Sequence, residues 1–402
     1  MFPARGSSVV LAILALSAFV LSVAEFIVVG VLTLISSELS ISVSQAGELV
    51  TAYALGISIG GPLLAATTAR MGRRRLLLIT MGMFVGANVV AGTSSLWPQL
   101  LASRFVMGSV HGLFIGVASV IAASVAQRGS EGKAMSVVFG GVAAATVLGV
   151  PLGILLAYAM GWRTLFIVIA LVAFLALIAT AAFLDPVEVR PSESLRGQAR
   201  AAFSPRVLVM LSVALLLLGG QFAGFTYISP FLREVTNVDG ATTSLFLLAY
   251  GIASAIGVFV GGQLADRNAN LTLIVANLAL IAILALMFFL GEDRRLAAAG
   301  LGIWGAVGFG LVPALQLRIV QLAGDGRDLA ATLSASAVNA GVAMGSLIGG
   351  WVLSDYGARS VMLAAAAICV VALPVTLASR LLRPPSTTLK EGSSLQLEPA
   401  RR

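Results

Sequence analysis

The stretch "VVLAILALSAFVLSVAEFIVVGVLTLI", residues 9–35, is a long apolar run that contains a single charged side chain, Glu25. About 20 consecutive apolar residues are enough for a helix to cross the hydrocarbon core of a bilayer. The run is longer than the apolar core of a secretory signal, which has about 7–15 residues, and no small-residue cleavage site follows it. Residues 9–35 are therefore predicted to form a membrane-spanning helix that remains in the protein.

The composition extends this prediction to the whole chain. Of the 402 residues, 59% are hydrophobic and 10% are charged, whereas soluble domains contain about 25% charged residues. One cysteine and one histidine provide neither an intramolecular disulfide nor a cysteine metal site, so no metal and no cofactor are expected. No nucleophile, base and orienting group occur together, and no Gly-Lys-Ser/Thr phosphate loop is present. The sequence thus predicts an all-α membrane protein that is not an enzyme and does not use ATP.

Twelve apolar runs, separated by short polar breaks that contain turn-forming residues, are predicted to be transmembrane helices. They cover residues 9–35, 46–69, 75–93, 98–126, 133–159, 163–184, 207–232, 241–265, 271–290, 296–322, 329–353 and 359–380.

The positive charges predict the orientation of the chain. A net charge of +8 is compatible with nucleic-acid binding, but most of the 25 Lys and Arg residues fall in loops on the side of the N-terminus. Such an excess marks the cytoplasmic side of a membrane protein. We therefore expect both termini in the cytoplasm, a chain in the cell membrane, the arginines of 70–75 against anionic lipid headgroups, and no nucleic-acid partner.

A polar stretch, residues 185–206, divides the predicted spans into six and six. The two halves contain similar stretches at equivalent positions: "GPLLAATTARMGRRR" (61–75) follows span 2, and "GGQLADRNAN" (261–270) follows span 8. Repeated halves are typical of transporters whose site lies between them near the membrane midplane. The predicted units are an N-terminal half, a cytoplasmic linker, a C-terminal half and a disordered cytoplasmic tail, at 1–184, 185–206, 207–383 and 384–402.

Several motifs carry a family resemblance. After span 2 come Gly61, Arg70, Gly72, Arg73 and Arg74, and after span 8 come Asp266 and Arg267. Span 4 begins "RFVMGSVHG" with Arg104, span 5 contains Gly141, Gly149, Pro151 and Gly153, and span 11 contains "NAGVAMGSLIGG". These stretches resemble the major facilitator superfamily, and within it the twelve-span drug:proton antiporters of the branch that contains arabinose-efflux permeases and chloramphenicol exporters.

The resemblance implies two pseudo-symmetric six-helix halves, a monomer, and gating by the loop motifs. The chain departs from the family pattern at Ala69, where the family has an aspartate that helps to lock the inner gate; the second half keeps this acid as Asp266. One hypothesis is that Glu131 replaces the missing acid. The alternative is a weaker lock in the first half.

Glu25 is the first candidate for chemistry, since ionisable residues inside spans are costly, rare and usually functional. Removal from water favours the protonated form of a carboxyl group, and a carboxylate that gains and loses a proton suits a proton-coupled exporter. Arg104 is predicted to lie within reach of Glu25 and to hold it ionised when paired. The alternative for both is a static ion pair. His111, on the same helix face as Arg104, is a candidate proton relay or a satisfied polar residue in a helix contact.

Other residues in the spans are candidates for packing or for the substrate cavity. The glycines of span 5 allow a neighbouring backbone to approach closely, and Pro151 is expected to bend the helix. In the family, spans 7 and 10 line the substrate cavity. The candidate substrate contacts are three amides and one aromatic residue in spans 7, 10 and 11: Gln221, Phe225, Gln316 and Asn339. Their alternative role is helix packing.

The predicted function is export of a small, drug-like organic molecule in exchange for protons, by alternating access of the two halves. A sugar, nucleoside or purine exporter and an uncoupled facilitator are the alternatives. The expected partners are the small-molecule substrate, protons and the lipid bilayer. A receptor or scaffold that does not transport is disfavoured, because no soluble signalling domain is present.

Overall fold

The computed structural model describes residues 5–126, 130–185 and 201–385. All regular secondary structure in these ranges is helical. The helices are α1 Arg5–Leu39, α2 Val43–Leu55, α3 Gly61–Thr67, α4 Arg73–Thr93, α5 Trp97–Val125, α6 Glu131–Ala144, α7 Val150–Met160, α8 Trp162–Phe183, α9 Pro205–Phe225, α10 Ile228–Glu234, α11 Gly240–Leu290, α12 Arg294–Ala323 and α13 Arg327–Ser379.

Within these ranges, ten helical segments are long and apolar enough to cross a membrane. Two of them are 51 residues long, at Gly240–Leu290 and Leu329–Ser379. Each contains one non-helical residue at a predicted break between spans: Asn268 has an extended backbone (φ −161°, ψ 91°), and Gly357 has φ 80°, which glycine adopts without the steric cost that a Cβ would bring.

Proline causes the irregularities inside the predicted spans. Proline lacks an N–H and clashes with the carbonyl group four residues before it. A π-helical turn, Gly56–Gly60, precedes Pro62 and joins α2 to α3. A second one, Ala145–Gly149, precedes Pro151 and joins α6 to α7, so the expected disturbance at this proline is a π turn. Predicted span 7 is likewise divided into α9 and α10, ahead of Pro230.

Polar residues fix where several helices begin. The hydroxyl group of Ser42 accepts a hydrogen bond from the backbone of Gln45 and caps α2. Asp293 caps α12, and the backbone N–H groups of Leu296 and Arg295 hold the pKa of its carboxyl group below the usual range. Such caps satisfy N–H groups that have no partner inside the helix.

The glycines of predicted span 5 pack against α1. A Cβ at Gly141 would overlap the backbone oxygen of Ala15, and one at Gly149 would overlap the side chain of Val23. A Cβ at Gly153 would lie 2.7 Å from the side chain of Ile27. The three contacts keep a constant register along α1 and flank the turn that carries Glu25, so the small residues of span 5 set the position of that carboxylate.

We expect Gly141→Ala to destabilise the protein, because the added methyl group meets backbone that cannot rotate away. Overpacking of this kind costs about 1–3 kcal/mol, which should lower the thermal midpoint in detergent by several degrees. Gly140→Ala is the matched control, since a Cβ at Gly140 has no atom within 4 Å. Equal midpoints for the two variants would contradict the close packing of α1 on span 5.

Three expectations fall on residues outside the described ranges. Most of the linker (185–206) and nearly all of the tail (384–402) lie there, and so does the side chain of Glu131. The division into two halves, and the hypothesis that Glu131 replaces the acid missing at Ala69, therefore stay predictions.

Candidate functional site

Glu25 lies on the wall of a cavity between helices that are distant in sequence. The cavity has a volume of about 10 Å³, room for about one water molecule, and is lined by residues of α1, α2, α9 and α13. Its other lining residues are Phe26, Val29, Val50, Tyr53, Ala54, Phe222 and Val342. The Glu25 side chain is 21% exposed, and it is the one carboxyl group in an otherwise apolar and aromatic wall.

His111 and Tyr53 adjoin the carboxylate. Nδ1 of His111 is 3.6 Å from Oε2 of Glu25 and 2.9 Å from the hydroxyl oxygen of Tyr53. That hydroxyl group is also 3.0 Å from the backbone oxygen of Leu21. Helices α1, α2 and α5 thus bring three titratable side chains into one chain of polar contacts.

Arg104 is close to Glu25, but the predicted ion pair is not formed. Among the described residues the ion pairs within 4 Å are Arg163–Glu38 and Arg359–Glu292, and one further contact at this distance joins the Glu25 carboxyl group to the imidazole of His111. The fully buried guanidinium of Arg104 donates instead to the backbone oxygens of Ala24 (2.7 Å), Leu49 (3.2 Å) and Glu25 (3.3 Å). It also lies over the ring of Tyr53, 4.2 Å from the centroid. The partners of the Arg104 guanidinium are therefore backbone carbonyl groups and an aromatic ring face, and not the Glu25 carboxylate.

A second cavity of about 20 Å³ adjoins the first and shares Phe26 with it. Aromatic side chains dominate its wall. Phe225 stacks on Tyr250 with 4.6 Å between ring centroids, and Tyr250 meets Phe309 edge to face. Trp304 packs behind Phe225 and Tyr250. The Tyr250 hydroxyl group and the Trp304 indole nitrogen are buried and have no hydrogen-bond partner; Tyr250 lines the cavity, whereas Trp304 does not.

Of the four predicted substrate contacts, Phe225 lines this second cavity and the three amides line neither cavity. Gln221 is buried and donates to the backbone oxygen of Gly308 at 3.3 Å. Asn339 donates to Ala335 of its own helix, and Gln316 is exposed on α12. Amides are hydrogen-bonded within or between helices because an unpaired amide is costly in an apolar surrounding, and this packing role accounts for Gln221 and Asn339.

The sequence argument missed Tyr53, Phe26, Tyr250 and Phe309. Aromatic residues in an apolar span resemble lipid-facing or packing residues when one helix is considered alone. A tyrosine within a span is a usable signal, since its hydroxyl group needs a partner when it is buried.

The loop motifs show no ion-pair lock in the described residues. A Cβ at Gly61 would lie 3.2 Å from the backbone of Gly112, so this glycine allows close packing of α3 on α5. Arg74 donates to the backbone oxygen of Ala181 at 2.7 Å, and Arg73 lines a wider pocket of about 190 Å³ between α3, α4, α5 and α13. Arg70, Gly72, Asp266 and Arg267 are exposed.

The two cavities are closed at the end where α1 finishes. There, α2 packs against α13 and α7 packs against α11. Three hydrogen bonds from serine hydroxyl groups to backbone oxygens join these helices: Ser44 to Gly350, Ser346 to Gly47 and Ser244 to Pro151. The wider pocket that contains Arg73 lies toward the opposite end.

Comparison with known proteins agrees with this architecture. The model of the Major Facilitator Superfamily matches residues 14–327. The chain is 37% identical over 350 residues to the "Uncharacterized MFS-type transporter YtbD" of Bacillus subtilis, covering 86% of this chain and 88% of the relative. It is 27% identical over 361 residues to a "Probable sugar efflux transporter" of Helicobacter pylori, covering 90% and 92%. A crystal structure of a bacterial homolog of the human lysosomal transporter Spinster, inward-facing and occupied, superposes with a TM-score of 0.79 at 16% identity, covering 95% of this chain and 98% of that one.

Proposed function

Because the chain belongs to the Major Facilitator Superfamily of transporters, we propose that it exports a small organic molecule in exchange for protons. The observation that carries this proposal is the Glu25 carboxylate on the wall of the cavity between α1, α2, α9 and α13. A proton on Glu25 and a substrate in this cavity occupy the same space, so one favours the release of the other. That competition is what antiport requires.

In this mechanism Glu25 takes up a proton when the cavity opens outward and releases it when the cavity opens inward. Substrate binds to the deprotonated form on the inside and leaves when the proton arrives on the outside. The two states differ in which occupant they hold, and this difference in occupancy drives the change of conformation.

The proposed topology has twelve spans in two halves, with both termini in the cytoplasm of a cell-membrane protein. A helix of 51 residues would be about 75 Å long at 1.5 Å per residue, more than twice the thickness of a hydrocarbon core of about 30 Å. Each of these helices is long enough for two crossings. In the first, one crossing lies before Asn268 and one after it; in the second, one lies before Gly357 and one after it. With this orientation, the three serine hydrogen bonds lie toward the outer end. A further one, from the hydroxyl group of Ser58 to the backbone oxygen of Ser336, joins the π turn Gly56–Gly60 to α13 nearer the inner end.

The walls of the cavities support an apolar or aromatic substrate over a sugar. Sugars are recognised through many hydrogen bonds, whereas Phe26, Phe225, Tyr250 and Phe309 offer ring faces. The alternative of a sugar, nucleoside or purine exporter is kept because a relative carries a sugar-efflux description. Glu25 disfavours the other alternative, an uncoupled facilitator.

Proton movement in proteoliposomes tests the proposal. Purified protein is reconstituted with an internal pH indicator, and chloramphenicol, arabinose and a purine nucleoside are added in turn. A proton flux that depends on one compound, and on the presence of protein, supports antiport and reports the substrate class. Movement of a radiolabelled compound without any proton flux would favour the facilitator.

Phe225→Ala is expected to weaken binding of an aromatic substrate, because it removes the ring that stacks on Tyr250. Aromatic pairs contribute about 0.5–1.5 kcal/mol beyond their buried area, so we expect KM to rise about threefold to tenfold with a smaller change in the maximal rate. Phe289→Ala, which removes an exposed ring of α11, is the control. An unchanged KM for every aromatic compound that is transported would place the substrate elsewhere.

A further inference from the structure

The hydroxyl group of Tyr53 determines which nitrogen of His111 carries a proton. A phenol has one hydrogen to donate, and a backbone carbonyl group can only accept. The oxygen of Leu21, 3.0 Å away, therefore receives the hydrogen of Tyr53. The hydroxyl oxygen then presents a lone pair to Nδ1 of His111, 2.9 Å away, so this nitrogen must supply the hydrogen of that contact.

A neutral imidazole carries one N–H, so its other nitrogen, Nε2, is without a hydrogen. The charged and titratable groups that face the ring are Glu25 on α1, Tyr53 on α2 and Arg104 on the helix of His111 itself. Both polar contacts of the ring are made by Nδ1. A nitrogen that already holds a hydrogen cannot accept the proton of Glu25, although the carboxylate lies only 3.6 Å away.

We propose that Tyr53 is a positioning residue that holds His111 as the Nδ1–H tautomer, so that the ring nitrogen nearest Glu25 carries a hydrogen and cannot accept the proton of the carboxyl group. The inference rests on the proposed function in one respect, the role of Glu25 as carrier of the coupled proton. Its structural part concerns a tautomer and is measurable without transport.

The chain has one histidine, so nitrogen-15 labelling of histidine gives NMR signals from His111 alone. In the purified full-length protein at about pH 8, where an unperturbed imidazole is neutral, we expect the hydrogen on Nδ1. Tyr53→Phe keeps the ring under Arg104 and removes the acceptor. The ratio of the Nδ1–H to the Nε2–H tautomer should then fall roughly fivefold, as expected for the loss of one hydrogen bond.

Two further variants make the result decisive. Tyr227→Phe removes another buried tyrosine hydrogen bond, to Ser346, and should leave the tautomer ratio unchanged. Glu25→Gln should also leave it unchanged, because Tyr53 sets the tautomer. The proposal would be overturned if the wild type carried its hydrogen on Nε2 or had a doubly protonated ring. It would also be overturned if the ratio of the Nδ1–H to the Nε2–H tautomer were unchanged in Tyr53→Phe, or if this ratio fell in Glu25→Gln. Absence of a substrate-driven proton flux in the wild type would contradict the proposed function and leave the tautomer assignment standing.

Discussion

Glu25→Gln is expected to reduce substrate-driven proton flux by about 100-fold or more, to the level of vesicles without protein, because the proposed proton carrier is removed. Glutamine keeps the shape of the neutral carboxyl group and cannot titrate. The variant is therefore held in a state that mimics the protonated one. Because substrate binds to the deprotonated form, exchange of labelled for unlabelled substrate across the membrane should also weaken, mainly through a higher KM.

The two readouts are measured on the same proteoliposomes, and Glu48→Gln serves as the control. Glu48 is an exposed acid of α2, so its replacement should leave both proton flux and exchange unchanged. A clearly lower thermal midpoint of Glu25→Gln in detergent, together with the loss of both activities, would mean that the carboxylate holds the helices together, as in the alternative of a static residue. Proton flux that persists in Glu25→Gln would assign the coupled proton to another group.

The positions of the helices were largely predictable from the sequence, because each apolar run is long and the polar breaks are distinct. The first run, 9–35, lies within α1, and the breaks predicted near Asn268 and Gly357 coincide with the non-helical residues of α11 and α13. The π turns before Pro62 and Pro151 were less accessible. Proline predicts a disturbance, but how the backbone absorbs it depends on the packing of neighbouring helices.

The candidate site was predictable to the extent that it contains charge. Glu25 and His111 stand out in apolar runs, and the structure places them 3.6 Å apart. The partners of Arg104 were not predictable, since its hydrogen-bond acceptors are backbone oxygens of α1 and α2. Every residue has a backbone oxygen, so no residue type in the sequence identifies these acceptors. The hydrogen-bond partners of the amides were not predictable for the same reason, and their role as substrate contacts stays a prediction. An amide in a span indicates a need for a hydrogen bond, and the nearest backbone oxygen satisfies that need for Gln221 and Asn339.

Arg104→Lys is expected to lower both stability and transport, although the charge is kept. The planar guanidinium donates to backbone oxygens on two different helices, α1 and α2, and a lysine ammonium cannot reproduce this fork. Leaving a buried charge with fewer partners costs about 3 kcal/mol. Because the lost contacts include the backbone of Ala24 and Glu25, we expect α1 to lose its fixed position, and the number of protons moved per substrate should fall.

A comparison with Arg318→Lys separates stability from coupling. Arg318 is also buried, and it donates to the backbone oxygens of Ser379 and Leu382, far from Glu25 in sequence and in contacts. Both variants should unfold at lower temperature in detergent, whereas a reduced ratio of protons to substrate is expected for Arg104→Lys alone. A wild-type ratio in Arg104→Lys would make this arginine a purely structural clamp. A reduced ratio in both variants would show that loosening any part of the helix bundle disturbs coupling, and the position of α1 would then have no special role.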